Sequence, residues 1–134
     1  MADSTLIVLK GIIAKLLATG GLTSITSTRV YSDAPQQTTF PYALVEISSE
    51  PWVQDDASNM SHTIRVHGFS RKNSPSEAAN IAIQVYNTLD RQEAGISVDS
   101  GNILQCVFDG VKTTFKDTDG TTWHSVIEFN LIMN

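Results

Sequence analysis

At 134 residues the chain has the length of one domain built around one core. Nine lysines and arginines against fourteen aspartates and glutamates give a formal net charge of -5 with no basic run, which argues against tight nucleic-acid binding, because that affinity comes mainly from cations neutralising phosphates. Apolar residues make up 41% and charged residues only 17%; this is too hydrophobic for a disordered chain and short of charge for a fully solvated surface, so some surface is expected to be covered by a partner.

The single cysteine, Cys106, has no partner for an internal disulfide, which fits a reducing cytoplasm. No Cys/His group has zinc spacing. The apolar stretch Leu6 to Leu17 is too short to span a bilayer and is interrupted by Lys10, Gly11 and Lys15, so neither a signal peptide nor a membrane anchor is expected.

In chain order, Leu6, Leu9, Ile13, Leu16 and Leu17 recur at helical spacing, with Ile7, Val8 and Ile12 widening the stripe. Ser4 is placed to cap this helix and Gly20-Gly21 to end it. An apolar arc this broad is expected to meet more than one surface, and a neighbouring subunit through Leu6, Leu9 and Ile13 is one such surface. Thr23 to Thr28 reads as a connector, Arg29-Val30-Tyr31 as a short strand, and Tyr42 to Ile47 as a strand opened by Phe40-Pro41. The segment from about 50 to 60, with Pro51, Asp55 and Asp56, reads as a long loop between antiparallel strands. Its Trp52 is either a contact anchor or folded back on its own sheet.

Ser61 to Phe69 alternates, with Ile64 and Val66 on one face and Thr63, Arg65 and His67 on the other. Ser74-Pro75-Ser76-Glu77 has the form of a capping box, and the helix it opens carries Ala78, Ile81, Ala82, Val85 and Leu89 on one stripe. Ile103 to Phe115, with an irregularity at Asp109-Gly110, and Trp123 to Met133 form a hairpin turned at Asp117-Thr118-Asp119-Gly120. The expected fold is therefore one α+β domain over residues 1–134, a mainly antiparallel sheet with two helices in the order α-β-β-β-α-β-β.

No reading of the chemistry-bearing residues produces an active site. His62 and His67 lie an odd number of positions apart on one strand and so point to opposite faces, which leaves solvated strand histidines as the better explanation for them and for His124. Cys106 alternates with Leu104 and Phe108 as a small core residue and lacks a nucleophile signature. Asp117 and Asp119 lack the rest of a calcium loop. No catalytic residue, cofactor or metal ligand is expected.

Several ordered segments form a series: Arg29-Val30-Tyr31 with Pro35; Phe40-Pro41-Tyr42 leading into Ala43 to Ile47; His62 to Arg71; Ser76 to Ala82 with Val85 and Leu89; and Asp119 to Phe129. The series covers about four-fifths of the chain and resembles the tail-completion or tail-terminator family of long-tailed phages, also found in defective prophages and gene transfer agents. Phe69 stands where many relatives carry Trp. The resemblance implies a structural, non-enzymatic virion protein, assembled in the host cytoplasm. Its place would be a hexameric ring on the head-proximal end of the tail tube, stopping the tube's polymerisation and offering a joint to head-completion or stopper proteins. DNA would pass through the lumen without specific binding, as negative charge from Asp55 and Asp56 near the lumen would favour. The rivals are a small soluble ligand-binding α+β domain and an enzyme using Cys106 or a histidine.

Overall fold

The computed structural model of the protein describes residues 4–51 and 59–134. The chain runs α1 (Thr5–Leu17), α2 (Gly20–Thr26), β1 (Val30–Tyr31), β2 (Tyr42–Pro51), β3 (Met60–Ser70), α3 (Ser76–Leu89), a 3-10 turn (Glu93–Gly95), β4 (Ile103–Lys116) and β5 (Trp123–Met133). The strands form one sheet in the order β1-β2-β3-β5-β4. Only the two-residue β1 pairs in parallel; every other neighbour is antiparallel. The class is α+β, as expected.

Alternation sets the layers. In β3 the even-numbered residues are buried and the odd ones half-buried, so one face of the sheet holds Ile64 and Val66 and meets Val45, Ile127 and Phe129 of the paired strands. The helices cover that face: α1 lies on β1 and β2, α3 on β3, β5 and β4, and α2 touches both helices. Val8, Ile12 and Leu16 of α1 and Ile81, Val85 and Leu89 of α3 complete the core. Two glycines permit the close approach. A Cβ at Gly68 would stand 2.5 Å from Ser125 Oγ and 2.7 Å from Ile81 Cγ2, and one at Gly11 would stand 2.7 Å from the Ser97 carbonyl oxygen.

The expected connector at Thr23 to Thr28 is for the most part helical. Helix α1 ends at Leu17, and Gly20-Gly21 opens α2 instead of closing α1; the two helices meet at 83°. Leu22 and Thr26, one turn apart, are fully buried, so packing overrides the poor helix propensity of this Gly/Ser/Thr stretch. No single helix among the described residues is long and apolar enough to cross a membrane.

The Ser4 cap does not form, and the Ser74 box forms only in part. Ser4 precedes α1 but turns its hydroxyl to His62 Nε2 at 2.8 Å. Ser74 Oγ accepts the Ser76 amide at 3.4 Å and meets Ser76 Oγ, while Glu77, instead of reaching back, accepts the Ser70 hydroxyl and pairs with Lys72. Ser4 and Glu77 have partners outside their own helices that compete with the cap.

Surfaces and candidate assembly site

The apolar stripe of α1 divides between core and surface. Val8, Ile12 and Leu16 are buried, whereas Leu6 and the half-buried Leu9 and Ile13 line one open groove of about 410 Å³ with Lys10, Ala14, Leu17 and Ser32. Leu6 is 77% exposed. The structure thus brings together the three α1 residues singled out in the sequence, on an outward strip beside the end of β1. Trp52, Asp55 and Asp56 lie outside the described residues.

A second apolar strip sits at the opposite edge of the sheet and was not foreseen. Ile83 and Tyr86, one turn apart on α3, are exposed, as are Leu104 and Val111 of β4. Tyr86 packs edge-on against Phe108 with centroids 5.3 Å apart, and Lys112 Nζ lies 6.0 Å above its ring. The sequence signal was present in the i, i+3 pair Ile83 and Tyr86 beside the core stripe. Leu104, expected to face the core, is 50% exposed because the register slips between Ile103 and Gln105. Asp109-Gly110 does mark an irregularity, between Phe108 and Lys112.

Among the described residues no helix covers the other sheet face, which carries a row of rings across four strands. Tyr42 stacks on Phe69 (4.8 Å), Phe69 on His124 (4.3 Å), and Phe115 lies 4.8 Å from His124. Phe40 extends the row under the Arg71 guanidinium. Beside the rings runs a polar chain. Arg65 donates to Glu128 through Nε (2.8 Å) and Nη2, and to Glu46 through Nη1 (3.0 Å). Glu46 also meets His67 Nε2 at 3.1 Å; His67 Nδ1 meets His124 Nε2 at 2.7 Å; His124 Nδ1 meets Asp117 at 3.1 Å. Hydrogen bonds from His67 first, and Arg65 second, hold the Glu46 carboxyl below its ordinary range.

The three histidines are therefore not solvated strand residues. His62 and His67 do point to opposite faces, but His62 is fully buried, with Ser49 Oγ 2.6 Å from Nδ1 and Ser4 Oγ on Nε2. The side chains of His67 and His124 are 16% and 15% exposed. Their partners are hydroxyls, carboxylates and each other, an arrangement that ties strands together.

Cys106 is fully buried opposite Leu131, while His124 pairs with Phe115 at the other end of the hairpin. Burial, reinforced by Glu93 and Asp90, pushes the thiol up to about 12, far from a nucleophile's range. Among the described residues no three His, Cys, Asp or Glu side chains are grouped to hold a metal ion. Asp119 accepts the Thr121 and Thr122 amides and the Thr122 hydroxyl, closing the hairpin turn. These hydrogen bonds hold its carboxyl down to about 2.

A sheet backed by helices on one face, with apolar strips at both edges, is the build of a module that works by contact. The family model described as Tail completion protein gp17 matches residues 10–134. Among solved structures, a chain from the virion of a native gene transfer agent (GTA) particle shares the fold, with a TM-score of 0.81 and 13% identity over 98% of each chain. Among curated protein sequences nothing matches. The chain belongs to the tail completion protein gp17 family. It is a structural protein of the virion tail and not an enzyme.

Proposed function

We propose that the protein is a tail terminator: copies of it form a ring, expected to be hexameric, on the head-proximal end of the tail tube. The ring stops addition of tube subunits and presents a surface to the head-completion or stopper protein. The observation that carries this reading is the outer stripe of α1, where Leu6 is mostly exposed and Leu9 and Ile13, packed on the core with one side, open with the other into the same groove. Large apolar residues gathered on one strip mark a contact surface, and cyclic closure hides such surface at a fixed subunit number. A net charge of -5 suits a channel through which DNA passes without sticking.

The test is to add purified protein to growing tail tubes and follow tube length and end structure by electron microscopy. Tubes should stop growing and carry a ring of protein at one end. Tubes of unaltered length with bare ends would remove the terminator role.

A further inference from the structure

We infer that neighbouring copies in the ring join head to tail, the α1 groove of one copy receiving the α3/β4 edge of the next. This rests on the ring reading above and names its two mating surfaces.

Apart from Phe115, which belongs to the ring row on the uncovered sheet face, the large apolar side chains left exposed among the described residues fall into two groups. Leu6 and Leu17 lie on α1; Ile83 and Tyr86 lie on α3, with Leu104 and Val111 on β4. Strand order puts these groups at opposite ends of the sheet, because α1 lies over β1 and β2 while β4 is the far edge strand. Helix α3 is fastened to that far edge: Asp90 Oδ1 accepts the Phe108 amide at 2.8 Å and the Cys106 carbonyl accepts the Arg91 amide at 2.7 Å. Two unlike patches on opposite sides of one molecule cannot satisfy each other within a two-fold pair. They can do so in a repeating contact, which closes when the rotation per copy divides a full turn.

The extent of the two walls fits. Each consists of a sheet edge plus a helix, about 35 to 45 Å long and about 20 Å deep. The resulting 700 to 900 Å², roughly, matches the 800 Å² or so that each partner contributes to a stable interface. Both walls also include strand edges without a strand neighbour among the described residues. The register leaves β2 beyond Leu44 unpaired on one side, and β4's outer side, fastened at Cys106 and Phe108 by Arg91 and Asp90, has no strand beside it, the kind of edge that a soluble protein covers or lends to a partner. The occupant of each wall is thus the other wall of a second copy.

The test uses the full chain carrying the benzophenone amino acid p-benzoylphenylalanine at position 6, where the native leucine is mostly exposed. The protein is bound to tail tubes, irradiated, and its adducts are mapped by mass spectrometry. The expected result is a ladder of covalently linked copies whose adducts lie on the α3/β4 edge of a second copy, between residues 83 and 115. A second variant, with the label replacing Ile83, should give the reciprocal adducts on residues 6 to 17. Linked copies with adducts between two α1 helices overturn the inference and leave a ring of different contacts. Adducts on the tube protein alone overturn it as well. Unlinked copies on tubes that keep growing remove the ring reading itself, and the inference with it.

Discussion

His67 and His124 face each other across two neighbouring strands with ring nitrogens 2.7 Å apart, and each turns its other nitrogen to a carboxylate. The contacts run Glu46, His67, His124, Asp117 and so link β2, β3, β5 and the hairpin turn in one chain. Replacing His67 by Ala should cost about 1 to 3 kcal/mol in chemical denaturation, since it leaves the largely buried His124 ring without its partner.

The pair shows where sequence reasoning stops. Alternation along β3 fixes which face His67 occupies, and periodicity fixes the α3 core stripe and the β4–β5 hairpin. Contact between His67 and His124 depends on something else: the diagonal relation produced when His67 pairs with Val126 and Phe69 with His124. One residue of slip would have put His124 on the buried face. The same limit hid α2, whose Leu22 and Thr26 are stable in a helix only because core receives them, and it hid the second apolar strip. Leu6, Leu9 and Ile13, by contrast, were legible as a set because a single helix carries them. Ser4 and Glu77 misled because their alternatives to capping lie far away in sequence or on another element.

Cys106 should resist alkylation by iodoacetamide at pH 8 in the folded protein and react at once in denaturant, because burial raises its thiol to about 12. Cys106→Ser should lower stability by about 1 to 3 kcal/mol, the cost of a hydroxyl in an apolar site. Ready labelling of native protein would show that the β4 edge opens.

Acid should loosen the β4–β5 turn. The Asp119 carboxyl is held down to about 2 in the fold, below the roughly 3.9 of an unfolded aspartate. A group depressed on folding stabilises the protein above the unfolded value, and that contribution disappears as pH falls through the folded one. Stability measured by denaturant titration should therefore decline between about pH 4 and pH 2. In Asp119→Asn the decline should be shallower, and the variant should be weaker than the native protein at neutral pH.

Two glycines should respond oppositely to alanine. At Gly68 the new methyl group would press on Ser125 Oγ and Ile81, and such overpacking costs about 1 to 3 kcal/mol. At Gly20, where α2 begins, nothing lies within 4 Å of the added carbon. Alanine there should be neutral or stabilising by up to about 1 kcal/mol through helix propensity. Thermal melts of the two variants decide whether α3 sits as close to β3 as the structure has it.

The two sides of α1 should separate stability from assembly. Ile12 is fully buried among core residues, so Ile12→Ala should cost about 2 to 5 kcal/mol through lost transfer energy and the cavity left behind. Leu6, one and a half turns earlier and facing outward, contributes little to the single copy. A charge placed there by Leu6→Glu should change monomer stability by less than about 0.5 kcal/mol. If a neighbour covers the groove the same charge would be desolvated, and the near cation, Lys10 one turn on, is already paired with Asp99, so capping of tail tubes should be lost. Denaturation of the monomer and electron microscopy of tube ends give the two readings independently. If Leu6→Glu melted early, the residue would belong to the fold; if it capped tubes normally, the α1 groove would face solvent in the finished tail.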